Sequence, residues 1–239
     1  MAKSSKDRDR RAVVEQMRRD QQRSERRRTI AVISACAVVG ALIIGFAAVP
    51  LLQQRSRASQ ALTDVGVGAG SCQDVVKKKA TGSQQHQDEG TTIDYPDSPP
   101  AFGPHYPVTA PFGRTFYTAD DRPEVEYLVH NLEHGYNLLW YDETIAEDED
   151  QLNAVKAIAA KFEGNGPTNK FIAVPWTAED GKAFPAGMHV AMTHWSVGGD
   201  AAKPAQQGVW QYCKAPSGAA VSTFTKDYPY TDSPEPSAA

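Results

Sequence analysis

Residues 30–52, IAVISACAVVGALIIGFAAVPLL, run for 23 positions without one charged side chain. As a helix at about 1.5 Å per residue they would reach about 34 Å, enough to cross a hydrocarbon core with slight tilt. A helix apolar on every face is a poor core element for a domain of this size, so the run predicts a membrane span. Its flanks set the direction. Residues 1–28 carry eleven Lys/Arg against five Asp/Glu and end in Arg26-Arg27-Arg28, a net of about +6. The whole chain has a formal charge of −4, which leaves about −10 for everything that follows. Arg55 and Arg57 beyond the run are outnumbered, and the positive-inside rule puts the N-terminus in the cytoplasm. A cleaved signal peptide fits less well. The basic region is long, the run exceeds the usual apolar length of about 7–15 residues, and no A-x-A site follows it. Cys36 stands too early in the run to close a lipoprotein cleavage box. The basic tail reads as a topology signal that also touches anionic lipid, with no nucleic-acid partner implied.

The expected arrangement is therefore a basic cytoplasmic tail (1–29), a transmembrane helix (30–52), a linker (53–70), an extracytoplasmic globular domain (71–228) and a disordered Pro- and Ser-rich tail (229–239). Of the three cysteines, Cys36 lies in the span, while Cys72 and Cys213 fall outside it near the two ends of the globular region. In an oxidising compartment an even pair so placed reads as one disulfide. A thiol metal site would need further soft ligands near each cysteine, and the sequence offers none.

Within the globular region, Thr91 to Gly113 carries six prolines and two glycines, so nothing periodic can form there. Long ordered loops of this kind are uncommon unless they serve a site. A helix follows, capped by Asp120 or Asp121, with Pro123 in its first turn and Gly135 past its end. Its buried stripe is Val125, Leu128, Val129 and Leu132. Strands are expected over 136–141, 170–176 and 188–195, and helices over 146–162 and 217–228. Helices and strands alternate, which predicts an α/β or α+β domain with a small sheet and two to three helices. Trp140, Trp176, Trp195 and Trp210 read as core.

The histidines gather in three places: His86 and His105 around the proline-rich loop, His130 and His134 on the first helix, and His189 and His194 on the late strand. At 100° per residue, His130 and His134 lie roughly 40° apart and roughly 150° and 190° from the centre of the apolar stripe. Both rings can meet one ligand, and the loop carrying His105 is the segment placed to cover them. Three readings follow. His134 can act as a favourable charge at the helix end, with His130 simply exposed. Alternatively His105, His130, His134 and His86 form a metal site, for which imidazole suits copper and zinc alike. Finally, His130-Asn131-Leu132-Glu133-His134 matches H-x-x-E-H, in which both histidines would bind zinc and Glu133 would be the base of a hydrolase. Met188, Val190, Met192 and His194 share one strand face, which reads more simply as core than as a Cu(I) site.

Tyr95-Pro96-Asp97-Ser98-Pro99-Pro100, Gly103-Pro104-His105-Tyr106-Pro107 and Leu128-Val129-His130-Asn131-Leu132-Glu133-His134-Gly135-Tyr136 together resemble the signature blocks of the domain of unknown function 3105 family. The resemblance runs from about Cys72 to Trp195. It implies an actinobacterial membrane-anchored protein with an extracytoplasmic domain, in which His105, His130, Glu133 and His134 belong to the family pattern and His86 matches more loosely. It implies no activity. The expected function is a non-enzymatic binding module with a His-containing copper or zinc site. The alternatives are an accessory or assembly subunit docking a membrane-protein partner in the cell envelope, and the zinc hydrolase.

Overall fold

In a computed structural model of the protein, the described residues are 60–238 except 165, 167–168 and 200–204. Before them, positions 15, 17–19, 21, 23, 25–28, 30–34 and 36–40 are described and helical. The chain divides into two compact units, 1–56 and 57–239. Among the described residues no helix is long and apolar enough to cross a membrane. Most of the expected span, including all of 41–52, lies outside them.

In the second unit β1 is Val76–Lys79, α1 Val125–Glu133, β2 Asn137–Tyr141, α2 Glu143–Glu147, α3 Glu149–Ala159, β3 Phe171–Pro175, β4 Val190–Ser196, β5 Gln207–Cys213 and α4 Gly218–Asp227. The strands form one five-stranded sheet in the order β1-β5-β4-β2-β3. Only β2 and β3 are parallel, and the α2–α3 pair is the crossover that such a pair requires. The domain is therefore a small α+β fold.

Period-two alternation gives the sheet two apolar faces. Leu138, Trp140, Ile172, Val174, Trp195 and Trp210 pack on one face against Val125, Leu128, Val129 and Leu132 of α1. Leu139, Phe171, Val190, Met192 and Val209 pack on the other against Val155 and Ile158 of α3 and Val221 and Phe224 of α4. All four tryptophans are buried, and each fully buried Leu contributes about 1.5–3 kcal/mol by leaving water. The expected disulfide joins Cys72 to Cys213, tying the chain ahead of β1 to the end of β5.

Several local expectations change. α1 starts at Val125 with no side-chain cap, because Asp121 instead accepts from the Thr118 amide and hydroxyl and pairs with Arg114. The helix expected over 146–162 is two helices, because Asp148 caps α3 by accepting from the Asp150 and Gln151 amides. Strands β1 and β5 were not expected. The segment 229–238, expected to be disordered, packs back onto the domain. Asp232 takes the Ser196 hydroxyl and the Val197 and Gly199 amides on its carboxylate, and its carbonyl oxygen lies 2.9 Å from His194 Nε2.

The proline-rich segment lies on the α1 face, contributing Ala101, Phe102 and Ala110 to that core. Prolines supply no amide donors, so side-chain donors hold its carbonyls. Trp210 Nε1 donates to Pro99 O (2.8 Å), the Tyr212 hydroxyl to Ser98 O (3.2 Å) and the Tyr95 hydroxyl to Pro104 O (2.8 Å). This is how a loop with no regular structure becomes a fixed wall.

Candidate metal centre

Because α1 buries its apolar stripe against the sheet, His130, Glu133 and His134 project from its opposite side. The proline-rich segment and the C-terminal segment close over that side, leaving His130 5% and His134 7% exposed. Asn131 anchors the loop from between them: its Oδ1 accepts from Ala110 N at 2.9 Å and its Nδ2 donates to Ala110 O at 3.4 Å. His86 is delivered by backbone pairing, since Gln87 N donates to His105 O at 2.8 Å and residues 86 and 105 form a parallel bridge.

The result is a near-equilateral triangle of imidazoles. Ring centroids of His86, His105 and His130 lie 4.9, 4.9 and 4.8 Å apart. Glu133 Oε2 is 3.0 Å from His105 Nε2, 3.8 Å from His86 Nε2 and 3.9 Å from His130 Nε2. One ligand atom from each of the four residues falls within 4.8 Å of every other. Tetrahedral zinc with bonds of about 2.0–2.1 Å needs ligand atoms about 3.3 Å apart, so small side-chain shifts close the set around an ion.

Proton accounting points the same way. His105 Nδ1 lies 2.8 Å from Gly103 O, an obligate acceptor, and so carries the hydrogen. In the neutral ring, Nε2 then turns a lone pair toward the Glu133 carboxylate, with His105 fully buried and Glu133 12% exposed. Two acceptors at 3.0 Å need a cation between them, either a proton or a metal ion. A histidine held through one nitrogen by a backbone carbonyl, with the other aimed into a cluster, is also how proteins orient metal-binding imidazole. His130 Nδ1 is buried without a hydrogen-bond partner. Burial, reinforced by His134 and His105, pushes the His130 pKa down to about 4, so its ring is neutral and able to bind metal near pH 7. Burial pushes the Glu133 carboxyl up, but the His105 hydrogen bond and the neighbouring imidazoles outweigh this and hold it below its ordinary value.

His134 stands at the edge of this set. Its Nε2 is 3.0 Å from His130 Nε2 and 3.6 Å from Glu235 Oε2. Glu235 is brought there by its own amide, which donates to Glu133 O at 2.9 Å. Lys170, 6% exposed, holds the same segment: Nζ donates to His134 O (2.8 Å), Pro236 O (3.1 Å) and Ala238 O (2.8 Å). Gly135, at φ 90°, leaves room for this packing, since a Cβ there would run into Tyr230 O.

The four expected metal residues thus divide. His86, His105 and His130 converge with Glu133, and His134 joins Glu133 and Glu235. The late-strand histidines lie elsewhere, with His189 Nδ1 2.8 Å from Asp142 Oδ2 and His194 between Tyr136 O and Asp232 O. Met192 is buried in the opposite core, while Met188, expected on the same strand face, precedes β4 and packs in the α1-side core. Sequence reasoning missed Asn131, Lys170 and Glu235, and it gave Glu133 only the part of a base.

The chain belongs to the family described as protein of unknown function (DUF3105), whose sequence profile matches residues 86–239. No curated protein matches the chain, and no solved structure does.

Proposed function

We propose that this member of the family is a metal-binding protein whose domain holds one divalent ion of the zinc or copper class through His86, His105, His130 and Glu133. The observation that carries the reading is the His105–Glu133 contact. A ring whose Nδ1 is already committed to Gly103 O faces a carboxylate at 3.0 Å, with two further imidazoles around the same point. Three nitrogens and one oxygen suit Zn(II) or Cu(II) and offer Cu(I) no soft donor. Such a set fills a tetrahedral ion's positions from the protein, as sites made for holding metal do.

The domain is read as extracytoplasmic, anchored by the apolar segment 30–52 with the N-terminus in the cytoplasm. The Cys72–Cys213 disulfide supports an oxidising compartment. The burial of His130 and His134 favours a metal centre over a histidine face docking a partner protein.

The test is metal affinity of the purified full-length chain and of its His105→Ala and Glu133→Gln variants. As a ligand, Glu133 is needed for tight binding, so Glu133→Gln weakens it. As a hydrolase base, Glu133 is dispensable for metal, and Glu133→Gln would retain the ion while abolishing zinc-dependent hydrolysis. The latter outcome sinks the binding reading.

A further inference from the structure

We infer that the centre takes a second divalent ion, held by His134 and Glu235, with the Glu133 carboxylate shared between the two positions. The inference rests on the first position being a metal site. Glu133, His134 and Glu235 each place a ligand atom within 4.8 Å of the other two, and Glu133 belongs to both groups. A carboxylate has two oxygens and can serve two cations at once. The two positions are joined a second way. His130 Nε2 and His134 Nε2 lie 3.0 Å apart, so the ligands of the two positions adjoin.

Glu235 is held there by the chain. Its amide is bonded to Glu133 O, on the helix that carries the other ligands, and Lys170 pins the carbonyls of Pro236 and Ala238 beyond it. The same ammonium holds His134 O, so one buried cation fixes both the helix end and the segment that brings Glu235 to it. His86 of the first position and Glu235 of the second are similarly exposed, at 54% and 56%, so both positions reach solvent and the second differs in its ligand set. With two carboxylates and one imidazole it is harder than the first and has coordination positions left for water or an oxygen ligand. It holds its ion more weakly and exchanges it faster.

The experiment titrates metal-free full-length chain with Co2+, following visible d–d absorbance and bound metal after dialysis. Wild type takes two equivalents in two steps. Glu235→Gln keeps the backbone amide and the tight first step but weakens the second at least about 100-fold, since losing a direct ligand costs more than losing a supporting partner. Loaded with two equivalents of Cu2+, wild type gives less EPR intensity than two isolated spins, because the shared carboxylate couples them. Glu235→Gln at one equivalent gives the intensity of one full spin. A single equivalent in wild type, unchanged by Glu235→Gln, overturns the second position and leaves the first standing. No bound ion in wild type overturns both.

Discussion

Replacing Lys170 by Met tests whether a buried cation docks the C-terminal segment against the centre. The variant keeps most of the aliphatic stem and removes three donors, at 2.8, 3.1 and 2.8 Å from His134 O, Pro236 O and Ala238 O. A hydrogen bond from a charged donor contributes about 1.5–3 kcal/mol. Two of the three acceptors lie on the segment itself, so its docking weakens by about 3 kcal/mol even at the lower figure. At about 1.4 kcal/mol per factor of ten, the undocked population rises on the order of 100-fold. The third acceptor, His134 O, is left without its donor, which costs a further 1–3 kcal/mol or so of global stability. The assay is native-state hydrogen exchange at the Glu235 amide, which is protected by its bond to Glu133 O and reports local opening. The amide should exchange on the order of 100-fold faster in Lys170→Met, and at the wild-type rate in the exposed control Lys226→Met. Exchange within about threefold of wild type in Lys170→Met would refute the clamp.

Three further outcomes follow from the packing. Leu132, fully buried between α1 and the sheet, costs about 2–5 kcal/mol as Leu132→Ala in urea unfolding; a loss under about 1 kcal/mol would contradict the placement of that stripe. Cys72 and Cys213 are separated by 141 residues, so reducing the disulfide lowers stability by about 2–5 kcal/mol, and an unchanged urea midpoint in dithiothreitol would count against it. Burial holds the His194 pKa below its ordinary 6.5, despite the two carbonyls and the Asp232 charge beside it. A depressed histidine stabilises the fold fully above its unfolded pKa, and that contribution fades as pH falls through the lower folded value. Metal-free protein should thus lose stability between pH 7 and pH 5. His194→Gln should flatten part of that slope, and an identical slope would exclude His194 as its source.

The elements legible in the sequence are those whose signal is local. The α1 stripe, strands β2, β3 and β4, and α4 behind its Ser217 cap all follow from periodicity and turn chemistry. β1 was hidden because Val76-Lys77-Lys78-Lys79 is an exposed edge strand that reads as a run of charge. In β5, Gly208 and Gln211 break up the apolar signal of Val209 and Trp210. The centre was half visible. Helical spacing put His130 and His134 together, and the rigidity of the loop singled out His105. The rest depends on partners distant in sequence. Glu235 sits in a stretch whose composition spells disorder, yet it is ordered through Lys170, His194 and Ser196, all more than 30 positions upstream. No local window contains those contacts.

The central claim is that His86, His105, His130 and Glu133 form a metal site, and metal retention tests it most directly. Full-length chain and His105→Ala, each purified without chelator, would be dialysed against buffered Zn2+ or Cu2+ and analysed for bound metal, with circular dichroism to verify the fold. The account predicts at least one tightly held ion per chain in wild type, and loss of that ion in a folded His105→Ala variant. Wild type that holds no ion, or His105→Ala that holds it as tightly as wild type, would contradict the account.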